Sequence, residues 1–140
     1  MKGVGALAVL PVYLYGEPVL RKKAKPVMNA DPELARFAAD MVETMKNANG
    51  IGLAATQVGD LRRVIVVDIG ETSEEARNME PLVMINPVLL RDKDSWVMEE
   101  GCLSIPEIRD DVERSETITV AYRDPAFDEC EITASGLLAR

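Results

Sequence analysis

The chain has 140 residues, 47% of them hydrophobic, which is enough for one globular domain with its own core. Its net charge is −8, and the 16 basic residues are mostly interleaved with 24 acidic ones, so the composition suggests no basic face for a nucleic acid. No apolar run approaches the roughly 18 residues that a membrane-spanning helix needs.

The opening MKGVGALAVL imitates a signal peptide only faintly, since no small-residue cleavage site follows it. Pro11, Pro18 and Pro26 punctuate residues 1–30, which are expected to be extended or irregular. The basic cluster RKKAK at residues 21–25 reads as a solvated loop. Asp31-Pro32 then opens a helix, with a carboxylate to accept from free N–H groups and a proline at the first helical position. Leu34, Phe37, Ala38, Met41, Val42 and Met45 follow at helical spacing and give one apolar face. Asn49-Gly50 closes the helix where a left-handed residue is wanted.

RVIVVD at residues 63–68 is a β-branched run that predicts a buried strand. Residues 71–80 read as a polar loop. Strands are expected at 82–85 and 88–90, broken at Asn86-Pro87, and again at 117–122 and 131–133. After Gly136, residues 137–140 read as the first turn of a helix. One long helix against several short, mostly antiparallel strands is an α+β domain. Two cysteines, Cys102 and Cys130, make no disulfide framework and fit a reducing cytoplasm.

Two segments carry chemistry. In GIGLAATQ, residues 50–57, glycines flank Ile51 and let backbone approach a ligand closely, and Gln57 offers a neutral amide donor. A helix cap followed by a tight packing contact explains the same glycines. In EGCLS, residues 100–104, Cys102 has three readings. A nucleophile would need a base, usually histidine, and the chain has none. A metal ligand would be deprotonated by its ion, with Glu100 and Gly101 shaping the turn. A structural cysteine would be a small buried hydrophobe.

GIGLAATQ and EGCLS resemble the first and second signature motifs of the peptide deformylases, in the family's order. SIPEIR at residues 104–109 and ASGLLAR at 134–140 are similar to the family too, so the likeness runs from Gly16 onward. The resemblance implies the deformylase α+β fold and metal-dependent hydrolysis of the formyl group from N-terminal formyl-methionine, releasing formate. The implied partners are N-formyl-methionyl nascent peptides and, in the intact family, the ribosome. The implied cofactor is a divalent metal, usually iron, with zinc, nickel or cobalt as substitutes. One cysteine and two histidines hold it and leave a position open for water.

By the same resemblance, Cys102 matches the thiolate ligand. The Gln57 amide and the Leu103 backbone N–H match the donors to the tetrahedral oxyanion. Gly50, Ile51, Gly52 and Gly101 match positions along an extended peptide substrate. Arg109 and Leu137 match positions around the methionine pocket. The third signature, a helical Gln-His-Glu-x-x-His with two ligands and the acid/base, matches nothing in a chain without histidine. Residues 1–140 therefore read as a single, C-terminally truncated deformylase domain lacking its metal helix. Such a chain is expected to hold no metal stably and to be inactive alone. The alternative is a non-catalytic peptide-binding module on the same fold.

Overall fold

A computed structural model describes residues 8–70 and 80–140. The helix α1, Pro32–Asn47, begins as its sequence dictates: the Asp31 carboxylate accepts from the Leu34 N–H at 2.7 Å, with proline in the first turn. Leu34, Ala38, Met41, Thr44 and Met45 are buried along one face, and Phe37 and Val42 are partly buried beside them. At the other end the Gly50 N–H donates to the Met45 carbonyl at 2.9 Å. The left-handed residue there is Asn49, at φ 57°, and not the glycine after it. Gly50 is required for another reason, its approach to Leu103.

Seven strands follow among the described residues. β1 (Gly52–Ala54), β2 (Val64–Val67), β3 (Leu82–Lys93), β6 (Thr117–Arg123) and β7 (Glu129–Ser135) form one antiparallel sheet in the order β1-β2-β3-β6-β7. β4 (Trp96–Cys102) and β5 (Ile105–Arg114) form a separate hairpin. α1 lies on the β1–β2 end of the sheet. There Leu34, Met41 and Met45 meet Leu53, Ala55, Val64, Val66 and Ile85 in the central core. Each large side chain so enclosed stabilises the fold by about 1.5–3 kcal/mol.

The expected break at Asn86-Pro87 is a bulge inside one long strand. The register slips between Ile85 and Val88 while β3 runs on. Proline has no N–H to donate to a ladder, and Asn86, at φ 53°, absorbs the extra residue. The Asn86 side chain binds Val27 twice, accepting from its N–H and donating to its carbonyl, both at 2.8 Å. That fixes the irregular N-terminal segment against the sheet.

Residues 137–140, expected to open a helix, fall instead on a 3-10 turn, Gly136–Ala139, with Arg140 at its C-terminal end. The polar loop expected at 71–80 falls, but for its last residue, outside the described residues. The hairpin β4–β5 is missing from the strands expected above. Its strands expose charged side chains, so no apolar alternation marks them. No helix among the described residues is long and apolar enough to cross a membrane.

Candidate active site

Gln57 stands in a 3-10 turn, Ala55–Val58, directly after β1. Its carboxamide has a fixed orientation. The Ala54 N–H donates to Oε1 at 3.0 Å, and since an N–H can only donate, the oxygen must face it. The NH2 group is thereby turned the other way, 3.2 Å from Ser104 Oγ and 3.7 Å from Cys102 Sγ. A neutral donor pair thus points into the space beside the thiol.

The hairpin delivers the other half of the site. Its register slips between Gly101 and Cys102, so the chain turns through Leu103 and Ser104 before β5. Cys102 is exposed at this corner, while Ser104 is buried beneath it. Leu103 leans on Gly50: a Cβ there would lie 2.8 Å from Leu103 Cδ1. The glycine of one motif therefore seats the leucine of the other, which explains its smallness without invoking a ligand.

Glu100 does not shape the turn, as the sequence suggested, but lies in β4. Its carboxylate accepts from Arg114 at 3.2 Å and pairs with the Nε of Arg140. Burial alone would raise its pKa, but the hydrogen bonds from Arg114 and Arg140, with their charges, hold it below the usual carboxylate range. The Arg140 side chain is only 3% exposed. It also donates to the carbonyls of Trp96, at 3.1 Å, Met98 and Val112, and stacks 4.4 Å from the Trp96 ring centre. Sequence reading missed both arginines because neither lies near EGCLS in the chain.

The other candidates are distributed around this corner. Among the described residues β1 is an edge strand, paired only with β2, and it leaves Gly52 exposed beside the exposed Ile51. Gly101 is also exposed and pairs across the hairpin with Arg109, whose guanidinium donates to the Glu99 carboxylate at 2.8 Å. Leu137 is half-buried on the turn Gly136–Ala139, three residues before the arginine that grips the hairpin. Cys130 is not part of the site. It sits in β7 with its sulfur 3.8 Å from an Asp124 carboxylate oxygen.

The donor set does not fit a resident divalent metal. A catalytic site of that kind takes three protein ligands, and the chain contains no histidine. Among the described residues no three Cys, Asp or Glu side chains converge to hold an ion. The nearest carboxylate in sequence, Glu100, is turned toward two guanidinium groups. Cys102 offers one thiolate.

An edge strand, a buried serine, an exposed thiol and an amide donor thus converge at one corner of an α+β scaffold. The polypeptide deformylase family profile matches residues 9–140, and the chain belongs to that family. The peptide deformylase of Salinibacter ruber is 44% identical over 139 residues, covering 94% of this chain and 71% of that protein. That of Chlorobium phaeobacteroides strain BS1 is 48% identical over 122 residues, and the match spans 65% of its length.

Solved structures agree. A Synechococcus elongatus peptide deformylase in complex with actinonin superposes with a TM-score of 0.88 at 43% identity, covering 96% of this chain and 72% of that one. A Met-Ala-Ser-bound class I type b deformylase from Acinetobacter baumannii gives 0.89 at 36% identity, with 96% and 89% covered.

Proposed function

We propose that this chain carries the substrate-positioning and oxyanion-binding part of a deformylase that acts on N-formyl-methionyl peptides. The observation that carries the reading is the Gln57 carboxamide, whose donor end faces the Cys102 sulfur across 45 residues of sequence. A formyl oxygen placed beside Cys102 would accept from Gln57 Nε2 and from the Leu103 N–H. Donors oriented before the reaction stabilise charge that develops on that oxygen. The peptide would lie extended along the free edge of β1, pairing with Ile51 and Gly52 as an added strand, with Gly101 on its other side. Arg109 and Leu137 would border the methionine side chain. The Acinetobacter relative was solved with Met-Ala-Ser bound, which supports a peptide of this length and character.

The chain's own residues bind and orient; they supply neither a set of metal ligands nor a histidine base. The 140 residues alone are therefore expected to bind formyl-Met-Ala-Ser without releasing formate. Backbone amide shifts at Ile51, Gly52, Gly101 and Leu103 on titration with that peptide would report the binding, and their absence would refute the groove. Joined to a helix carrying Gln-His-Glu-x-x-His, the protein should release formate, and Gln57→Ala should lower kcat by about 10²-fold. Formate from the 140 residues alone would overturn the assignment of inactivity. A joined protein that binds but never turns over would favour a peptide-binding module.

A further inference from the structure

The Gln57 carboxamide is held at three points, Ala54, Ser104 and, at longer range, Cys102, and only the first lies in its own motif. Ala54 fixes the oxygen. The nitrogen is fixed by Ser104 Oγ, which accepts from it at 3.2 Å and belongs to a residue only 4% exposed. A buried hydroxyl is costly to leave unpaired, so this contact has one strongly preferred geometry. The backbones of the same two residues hang from one segment. The Tyr13 N–H donates to the Gln57 carbonyl and the Tyr15 N–H to the Ser104 carbonyl, each at 2.7 Å. Both anchors lie two residues apart on one short segment, so this strap ties the turn after β1 to the hairpin corner. The Tyr13 ring seats the strap on Gly59, where a Cβ would lie 2.8 Å from ring carbons.

We propose that Ser104 is a positioning residue for Gln57: its buried hydroxyl, spaced by the Tyr13–Tyr15 strap, holds the amide so that its remaining N–H faces the reacting oxygen. This rests on the oxyanion role given to Gln57 above, but its geometric part stands without it. Ser104 touches Gln57 and needs no contact with substrate. Without it, one amide proton loses its acceptor, and the side chain is tethered through Oε1 and by the weaker contact of Nε2 with Cys102 Sγ at 3.7 Å. Rotation about its last torsion is then limited by Ala54 and a long sulfur contact, and torsions of this type are intrinsically broad.

The test uses the ¹⁵N-labelled 140-residue protein and the Gln57 side-chain NH2 signals, assigned by their loss in Gln57→Ala. In the wild type the two protons should be well separated in shift, with a heteronuclear NOE close to backbone values. In Ser104→Ala the NOE should fall to that of exposed glutamine side chains while backbone amide shifts away from the site stay in place. Ser104→Thr, which keeps the hydroxyl, should restore the ordered signals. An amide as ordered in Ser104→Ala as in the wild type would overturn the proposal. So would equal disorder in the Ala and Thr variants with both folded. If Ser104→Ala does not fold, Ser104→Cys replaces it: the weaker sulfur acceptor should give intermediate order, and wild-type order would again overturn the idea. Because this readout needs no formyl peptide, its failure is separate from a failure of the peptide titration.

Discussion

Replacing Gly50 with alanine tests whether the two motifs are mechanically joined. The new Cβ would lie 2.8 Å from Leu103 Cδ1, 3.3 Å from Cγ and 3.4 Å from Cδ2. Carbon atoms settle at about 3.5–4.0 Å, so Leu103 must withdraw by up to about 1 Å. Overpacking of this kind costs about 1–3 kcal/mol. Losing glycine's freedom in the unfolded chain offsets about 0.4–1 kcal/mol of that. The net loss is then about 0.5–2 kcal/mol. Unfolding entropy of about 2.1 cal/mol/K per residue makes each kcal/mol worth about 3 °C in a chain of this length. Gly50→Ala should therefore melt about 2–7 °C below the wild type by calorimetry. Gly52→Ala is the internal control, because its Cβ would meet only the Val66 carbonyl at 3.8 Å, an ordinary contact. It should melt at the wild-type temperature or slightly above. Since Leu103 carries the proposed second oxyanion donor, Gly50→Ala should also weaken formyl-Met-Ala-Ser binding. If both variants melted alike, Leu103 would not be seated on Gly50 and the reasoning would fail.

Three further outcomes follow from the same contacts. Arg140→Met removes a buried donor to three carbonyls and Glu100, which keeps Arg114, so a loss of about 2–3 kcal/mol is expected. Fluorescence of Trp96, the chain's single tryptophan, should report the hairpin loosening, and an unchanged melt followed by that signal would contradict it. Met45→Ala empties a fully enclosed position in the core and should cost about 2–5 kcal/mol in urea unfolding; a loss below about 1 kcal/mol would mean that the core can collapse around it.

The third outcome concerns pH. Burial would raise the Asp60 pKa, but the hydrogen bonds and charge of Arg62 outweigh it and hold the carboxyl below its usual value. A depressed folded-state pKa gives stability that is fully present above the unfolded value, about 3.9, and is lost as pH falls through the folded one. The melting difference between wild type and Asp60→Asn should accordingly hold steady down to about pH 4 and shrink as pH falls below it. A constant difference would show that Asp60 acts only through packing.

The helix α1 was legible from sequence because its signals are local. Asp31 and Pro32 set its start, and the 3.6-residue period of Leu34, Ala38, Met41 and Met45 marks its buried face. β2, β6 and β7 were readable for the same reason, as β-branched runs between turns. GIGLAATQ and EGCLS pointed to the family, because motif identity and order are properties of the sequence alone. Tertiary structure alone decided what those motif residues touch. Nothing local says that Gly50 is small for Leu103, that Ser104 is a hydroxyl for Gln57, or that Glu100 is claimed by Arg114 and Arg140. The hairpin, too, escaped notice because its exposed charged strands hide the alternation that marks a half-buried sheet. Local propensity is written in neighbours along the chain. A site is written in partners tens of residues apart, and only the packing of α1, the sheet and the hairpin brings them within hydrogen-bond distance.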